Sequence, residues 1–182
     1  MPARKSSGTA PHREGPWAEV FAPRAKGEKR YWLVKSEPET FSFDDLMAAP
    51  GKTTEWNGVR NSAARNFLRD GMKKGDQVFF YHSMTNPSAV MGICEVVREG
   101  YPDSSAFDRR SEYYDDKSDP AAPTWFMVDL KAVKKLKSPV SLHAIKQNPA
   151  LAEMALVRIS RLSVTPVRSQ EWDEIIAMSA GG

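Results

Sequence analysis

The stretch Tyr31-Trp32-Leu33-Val34-Lys35-Ser36-Glu37-Pro38 reads as a short buried strand running into a polar loop. Its first four residues form an apolar run of strand length. Pro38 then moves Glu37 out of helical geometry, so the chain leaves the strand extended. The rest of the chain follows the same pattern of short apolar segments between polar turns. Ser42, with Asp45 as its acidic partner, predicts a capped short helix through Met47 that Pro50-Gly51 ends. Asn61 predicts the N-cap of a second helix, with Ala64, Phe67 and Leu68 facing inward. Residues 77–82 and 89–97 read as strands, and Gly92 leaves room there for backbone or ligand to approach. Residues 125–133 alternate Phe126, Val128, Leu130 and Ala132 as a strand does. Ser141 predicts a short helix through Gln147, and Asn148-Pro149 opens another with Leu151, Met154, Ala155 and Leu156 inward. Residues 161–167 form a late strand, and Ser169 caps a final helix bearing Trp172, Ile175, Ile176 and Met178. About five strands intermixed with four or five short helices, without βαβ regularity, predict an α+β fold. Its form would be a small, strongly curved sheet or barrel with helices packed at its edge.

A length of 182 residues predicts one domain with an attached tail. Residues 1–29, rich in Pro and basic side chains, are expected to be a disordered basic tail, and 30–180 the folded domain. A hydrophobic share of 41% and a charged share of 27% fit a soluble globular protein. No apolar run nears the roughly 18 residues that span a bilayer, and Met1-Pro2-Ala3-Arg4-Lys5-Ser6-Ser7 has no apolar signal core. A membrane partner is therefore not expected. The expected location is cytoplasmic, or nuclear in a eukaryote, and the expected state a monomer. The single cysteine, Cys94, excludes an internal disulfide framework and a multi-Cys zinc site. A net charge of +3 is a mild bias towards anionic partners, which would engage a local pocket or stripe.

No catalytic constellation is visible. Cys94 sits in the apolar run Met91-Gly92-Ile93-Cys94, and His12, His82 and His143 have no metal-ligand spacing. Asp44-Asp45 and Asp115-Asp116 are adjacent pairs that diverge, and no Gly-rich phosphate loop is present. No metal, cofactor or catalytic residue is expected. Binding chemistry is better supplied. Residues 54–69 place Trp56, three Asn and three Arg around a loop-to-helix junction. A flat base needs an aromatic face, groups for its edge and cations for its phosphate. Trp56 offers the face, or is simply a packing anchor. Asn57, Asn61 and Ser36 offer edge contacts, and Lys35, Arg60 and Arg65 offer charge. Tyr81 and Ser83 share one side of their strand with His82 opposite, so Tyr81 is either a half-buried sheet residue or a pocket wall. Arg161 is either a phosphate contact or an ion-pair partner.

These segments, in this order, resemble the EVE domain family. The resemblance rests on residues 31–38, on Trp56-Asn57-Gly58-Val59-Arg60-Asn61 and on Ala64-Arg65-Asn66-Phe67-Leu68-Arg69. Phe80-Tyr81-His82-Ser83, Tyr101-Pro102-Asp103, Trp125 with Val128-Asp129, and Arg161-Leu162-Ser163-Val164 continue it to about Met178. It implies a PUA-like mixed β-barrel with flanking short helices. It also implies a non-catalytic reader of modified bases, chiefly 5-methylcytosine or 5-hydroxymethylcytosine, with DNA favoured over RNA. Carried over by position, the pocket would comprise Lys35, Ser36, Glu37, Trp56 and Asn57, with Val59 and Asn61 nearby and Tyr81 and Ser83 as another wall. The chain departs from the family at Ser62-Ala63, where Tyr-Gln is frequent, and at Asn57, where Asp is frequent. An amide donates as well as accepts, so the favoured base edge changes. The alternatives are an enzyme acting on RNA or a nucleotide, and a protein-interaction module using the aromatics of residues 101–125.

Overall fold

The structure is a computed structural model that describes residues 15–181. The first half of the expected tail, residues 1–14, lies outside the described residues. Six strands form one mixed sheet: β1 (Tyr31–Ser36), β2 (Thr53–Glu55), β3 (Gln77–His82), β4 (Ala89–Pro102), β5 (Phe126–Ser141) and β6 (Val164–Val167). Their order is β2-β5-β4-β3-β1-β6. β1 lies parallel to β3, and every other pair is antiparallel. No ladder joins β2 to β6, so the sheet stays open and the expected barrel does not close. The margins are short: β2 has three residues and β6 has four. Neither offers the other a run of backbone donors and acceptors.

Strand alternation divides the interior in two. Trp32 and Val34 of β1, with Val78 and Phe80 of β3, point into one core. Leu33, Phe79 and Tyr81 point into the other. The helices α1 (Phe43–Ala48) and α2 (Ser62–Asn66) close the first core through Phe43, Leu46 and Ala64. The second is covered by α3 (Leu142–Gln147), α4 (Ala155–Arg158) and α5 (Ser169–Gly181), with Trp172 stacked on Phe79 at 3.7 Å between ring centroids. Ser42 and Asp45 form the reciprocal capping box, and Asn61 and Ser141 cap α2 and α3. The gap left by Gly92 is filled by Phe43: a Cβ at position 92 would lie 2.3 Å from that ring.

β2 was not expected, because Thr53-Thr54-Glu55 carries no apolar side chain; its pairing with β5 makes it a strand. β4 and β5 extend to Pro102 and Ser141, beyond the apolar runs, because each is the other's ladder partner along that length, with bulges where the register shifts. The late strand is shorter than expected. Past Lys131, β5 has no strand partner on its outer side among the described residues, and Lys134, Lys135 and Lys137 are exposed there. Lysines along an uncovered edge discourage pairing with other chains.

Residues 15–29 are not a loose tail. Trp17 and Phe21 pack on the first core beside buried Val20, and Phe21 stacks on Phe67 at 5.7 Å. Arg24 then donates to both oxygens of Asp76 at 2.5 and 2.7 Å. Asp76 is fully buried and also accepts from Trp32 Nε1 and from the backbone amides of Arg30 and Lys73. Three apolar residues close together and one ion pair fasten this segment to the sheet. Asp76→Ala should lower the unfolding free energy by about 3–5 kcal/mol, because it strands the buried donors of Arg24 and Trp32. Urea unfolding measures this, and an unchanged midpoint would show that the cluster contributes nothing net.

Candidate functional site

A cavity of about 620 Å³ opens at the seam where the barrel would have closed. One side is the end of β1 and the loop after it, with Ser163 just before β6. The other is the end of β2 and the loop from Trp56 to Asn61. Lys35, Ser36, Glu37, Trp56, Asn57, Val59, Arg60 and Asn61 all line it. Residues far apart in sequence meet here because β1 and β2 lie near opposite margins of a curved sheet.

Trp56 is 8% exposed. Its amide donates to the Val128 carbonyl at 2.8 Å, and its indole sits edge-on to Phe80 at 5.5 Å. It is both a packing anchor and a cavity wall. Ser36 Oγ donates to the Phe41 carbonyl at 2.6 Å and holds the following loop so that Phe41 also lines the cavity. Lys35 Nζ donates to the Ser160 carbonyl, and partial burial lowers its pKa. Asn61 accepts from the Ala64 amide through Oδ1, which leaves its NH2 group available. Asn57 is exposed, and its side chain has no hydrogen-bond partner among the described residues.

Gly58 and Arg60 fix the far wall. Gly58 has φ +82°, and a Cβ there would lie 2.6 Å from the Tyr113 ring, so only glycine fits both the turn and the contact. Arg60 donates twice to the Tyr113 carbonyl and once each to the Val59 carbonyl, Asp103 Oδ2 and Ser105 Oγ. These use all five N–H groups of a guanidinium. Arg60, expected to meet phosphate, is instead the clamp that brings Tyr113 onto the cavity. Its partner Asp103 is fully buried and accepts also from the amides of Gly58 and Ser105. Burial pushes the Asp103 carboxyl up, but hydrogen bonds from Ser105, Gly58 and Arg60 outweigh it and hold the pKa below the ordinary value.

Other expected residues lie elsewhere. Arg65 is outside the cavity, donating to the Thr124 carbonyl and to Asn66 Oδ1, with its guanidinium 5.8 Å from the Trp125 ring. Tyr81, Ser83 and Arg161 line a second cavity of about 430 Å³, which shares Lys35, Glu37 and Ser163 with the first. His82 points the other way, as alternation predicts, and its Nε2 accepts from the Phe43 amide. Sequence reasoning missed Phe41, Glu55, Glu112, Tyr113 and Ser163 as cavity residues. Glu112 and Tyr113 lie in a polar loop without periodicity, and the Arg60 clamp holds Tyr113 at the site. Among the described residues no group of His, Cys, Asp or Glu could hold a metal ion, and no helix is long and apolar enough to cross a membrane.

Comparison with known proteins places this geometry in a family. The family model described as EVE domain matches residues 30–178. Thymocyte nuclear protein 1 of Gallus gallus is 40% identical over 165 residues, covering 81% of this chain and 68% of that protein. The structure of a hypothetical protein from Leishmania major superposes with a TM-score of 0.81 at 46% identity, covering 87% of this chain and 98% of that one. The crystal structure of human THYN1 protein in complex with 5-methylcytosine-containing DNA superposes with a TM-score of 0.80 at 37% identity, covering 83% of this chain and 98% of that one.

The Asp103 cluster makes stability depend on acid. A carboxyl with a lowered folded pKa contributes stability above its unfolded value, about 3.9. That contribution fades as pH falls through the lower folded value. Asp103→Asn should destabilise the protein by about 1–3 kcal/mol at neutral pH and flatten the loss of stability below about pH 4. Tryptophan fluorescence during acid titration of both proteins checks the sign. An equally steep acid limb in the variant would show that other carboxylates set it.

Proposed function

Since the chain belongs to the EVE domain family, we propose that it is a non-catalytic reader that takes a modified base, a 5-modified cytosine in DNA foremost, into the cavity between Lys35-Ser36-Glu37 and Trp56. One observation carries this reading: the cavity gathers three aromatic side chains, Phe41, Trp56 and Tyr113, with carboxylate and amide groups in one space. Its volume falls in the usual range for small-molecule sites, about 300–1,000 Å³. The complex of human THYN1 protein with 5-methylcytosine-containing DNA supports DNA as the ligand class.

The chemistry suits a cytosine. Its exocyclic amino group donates, and carboxylates accept from it; Glu37 and Glu55 both face the cavity. Asn57 can donate to the ring nitrogen or carbonyl while accepting elsewhere. Val59 and Phe41 supply apolar surface for a 5-substituent. The site is recessed in a seam of the sheet, so a base must leave its stack to enter. Extrusion costs a few kcal/mol, and stacking at roughly 1–3 kcal/mol per base offsets much of it. The chain's potential nucleophile and base support a binding role. Cys94 is fully buried, and burial pushes its thiol up; His82 already accepts a backbone hydrogen bond.

Binding to short oligonucleotides carrying cytosine, 5-methylcytosine, 5-hydroxymethylcytosine or N6-methyladenine tests the proposal. Binding should depend on the modification, and Trp56→Ala should weaken it by roughly 1–3 kcal/mol. Because Trp56 also packs on Phe80, Asn57→Ala is the companion variant: it should weaken binding several-fold, by about 1 kcal/mol, while leaving the melting temperature unchanged. Equal affinity for all four oligonucleotides, or for none, would refute base reading.

A further inference from the structure

The two adjoining cavities differ in charge. The first is lined by the carboxylates Glu37, Glu55 and Glu112, and its cations are Lys35 and the fully occupied Arg60. The second is lined by Lys35, Lys146 and Arg161 against the single carboxylate Glu37. Lys146 and Arg161 are both exposed, and neither has a hydrogen bond or ion pair among the described residues. This sets Arg161 apart from Arg24, Arg60 and Arg69, each of which pairs with an aspartate. The floor between these cations is apolar, with Leu156 and Leu162 both buried beneath it. At its rim Met84 is 83% exposed with φ +53°, an adaptable side chain held clear of the fold.

A nucleotide is an uncharged base joined to an anionic phosphate. A carboxylate-lined cavity accepts the base and repels the phosphate. The unpaired cations that could receive the phosphate lie next door, across the shared wall of Lys35, Glu37 and Ser163. We propose that the second cavity is a subsite for the nucleotide adjacent to the read base, with Lys146 and Arg161 on the connecting phosphate and its base over Leu156 and Leu162 beside Met84. This rests on the base-reading proposal for the first cavity and adds the path of the strand. Recognition then requires at least a dinucleotide, with the neighbour of the read base unstacked as well.

The double variant Lys146→Ser/Arg161→Ser tests this, since neither side chain holds the fold together. The probes are a nine-nucleotide single-stranded DNA with a central 5-methylcytosine, two versions abasic on one side or the other of it, and free 5-methyl-2′-deoxycytidine. For the nine-mer, the variant should lose affinity about tenfold or more, and its salt-dependence slope should fall by about two. Its affinity for the free nucleoside should match wild type. With wild-type protein, one abasic flank should weaken binding several-fold and the other should not. Wild-type affinity and slope in the variant, with binding still lost in Trp56→Ala, would overturn the subsite and leave the base pocket standing. Equal loss for nucleoside and nine-mer would place the two cations at the first cavity and also overturn it. Indifference to both abasic flanks would remove the second base. Failure of wild-type protein to bind the nine-mer would remove the base-reading proposal and this one together.

Discussion

A buried carboxylate must be solvated by the chain itself, and Asp103 shows what that requirement builds. Both its oxygens are out of contact with water, and burial alone would favour the neutral acid. The chain answers with the amides of Gly58 and Ser105, the Ser105 hydroxyl and the Arg60 guanidinium. Those donors come from the loop after β2 and from the segment after β4, so satisfying one charge locks two distant pieces of chain together. The same contacts carry Tyr113 over Gly58. The wall of the cavity is thus a by-product of an electrostatic necessity. Asp76 plays the equivalent part just before β3, where Arg24 fastens residues 15–29 against the sheet.

Leaving the sheet open is what makes room for a site. A closed barrel of this size would fill its interior with side chains. Here β2 ends after three residues, and the seam between the margins is lined by loops whose side chains are anchored from behind. Trp56 is held by Phe80 and by the Val128 carbonyl, and the β1–α1 loop by Ser36. A cavity with walls fixed in this way is pre-organised, so a ligand need not order it on binding. The cations divide between structural and available ones. Arg60 and Arg65 are held by acceptors within the chain, while Lys146 and Arg161 have none among the described residues. That division gives the surface its polarity.

Several elements were legible before any coordinates. The run 31–34 and the run 77–82 are apolar, short and bounded by turn residues, and both are strands. Ser42, Asn61 and Ser141 each cap a helix, because capping is a contact between residues two to three apart. Lys35, Ser36, Glu37, Trp56, Asn57, Val59 and Asn61, gathered by family resemblance, line one cavity together with Arg60, which was read from its charge as a phosphate contact. Other features were not legible for reasons of the same physics. β2 has no apolar residue and exists through its partner. Tyr113 has no local pattern and reaches the site through Arg60. Residues 15–29 look too polar to order, yet Trp17, Val20 and Phe21 find a core that lies elsewhere in the chain.

The sequence by itself determined the alternation of the strands, the helix starts and the stock of polar and aromatic groups that a base-binding site needs, since all of these depend on neighbours along the chain. Only the tertiary structure decided that the sheet stays open, that Arg60 is a clamp while Arg161 has no partner among the described residues, and that Tyr81 and Ser83 belong to a second cavity. Whether a charged side chain is held or available depends on which distant acceptor folding brings within about 3 Å, and composition and spacing along the chain do not encode that distance.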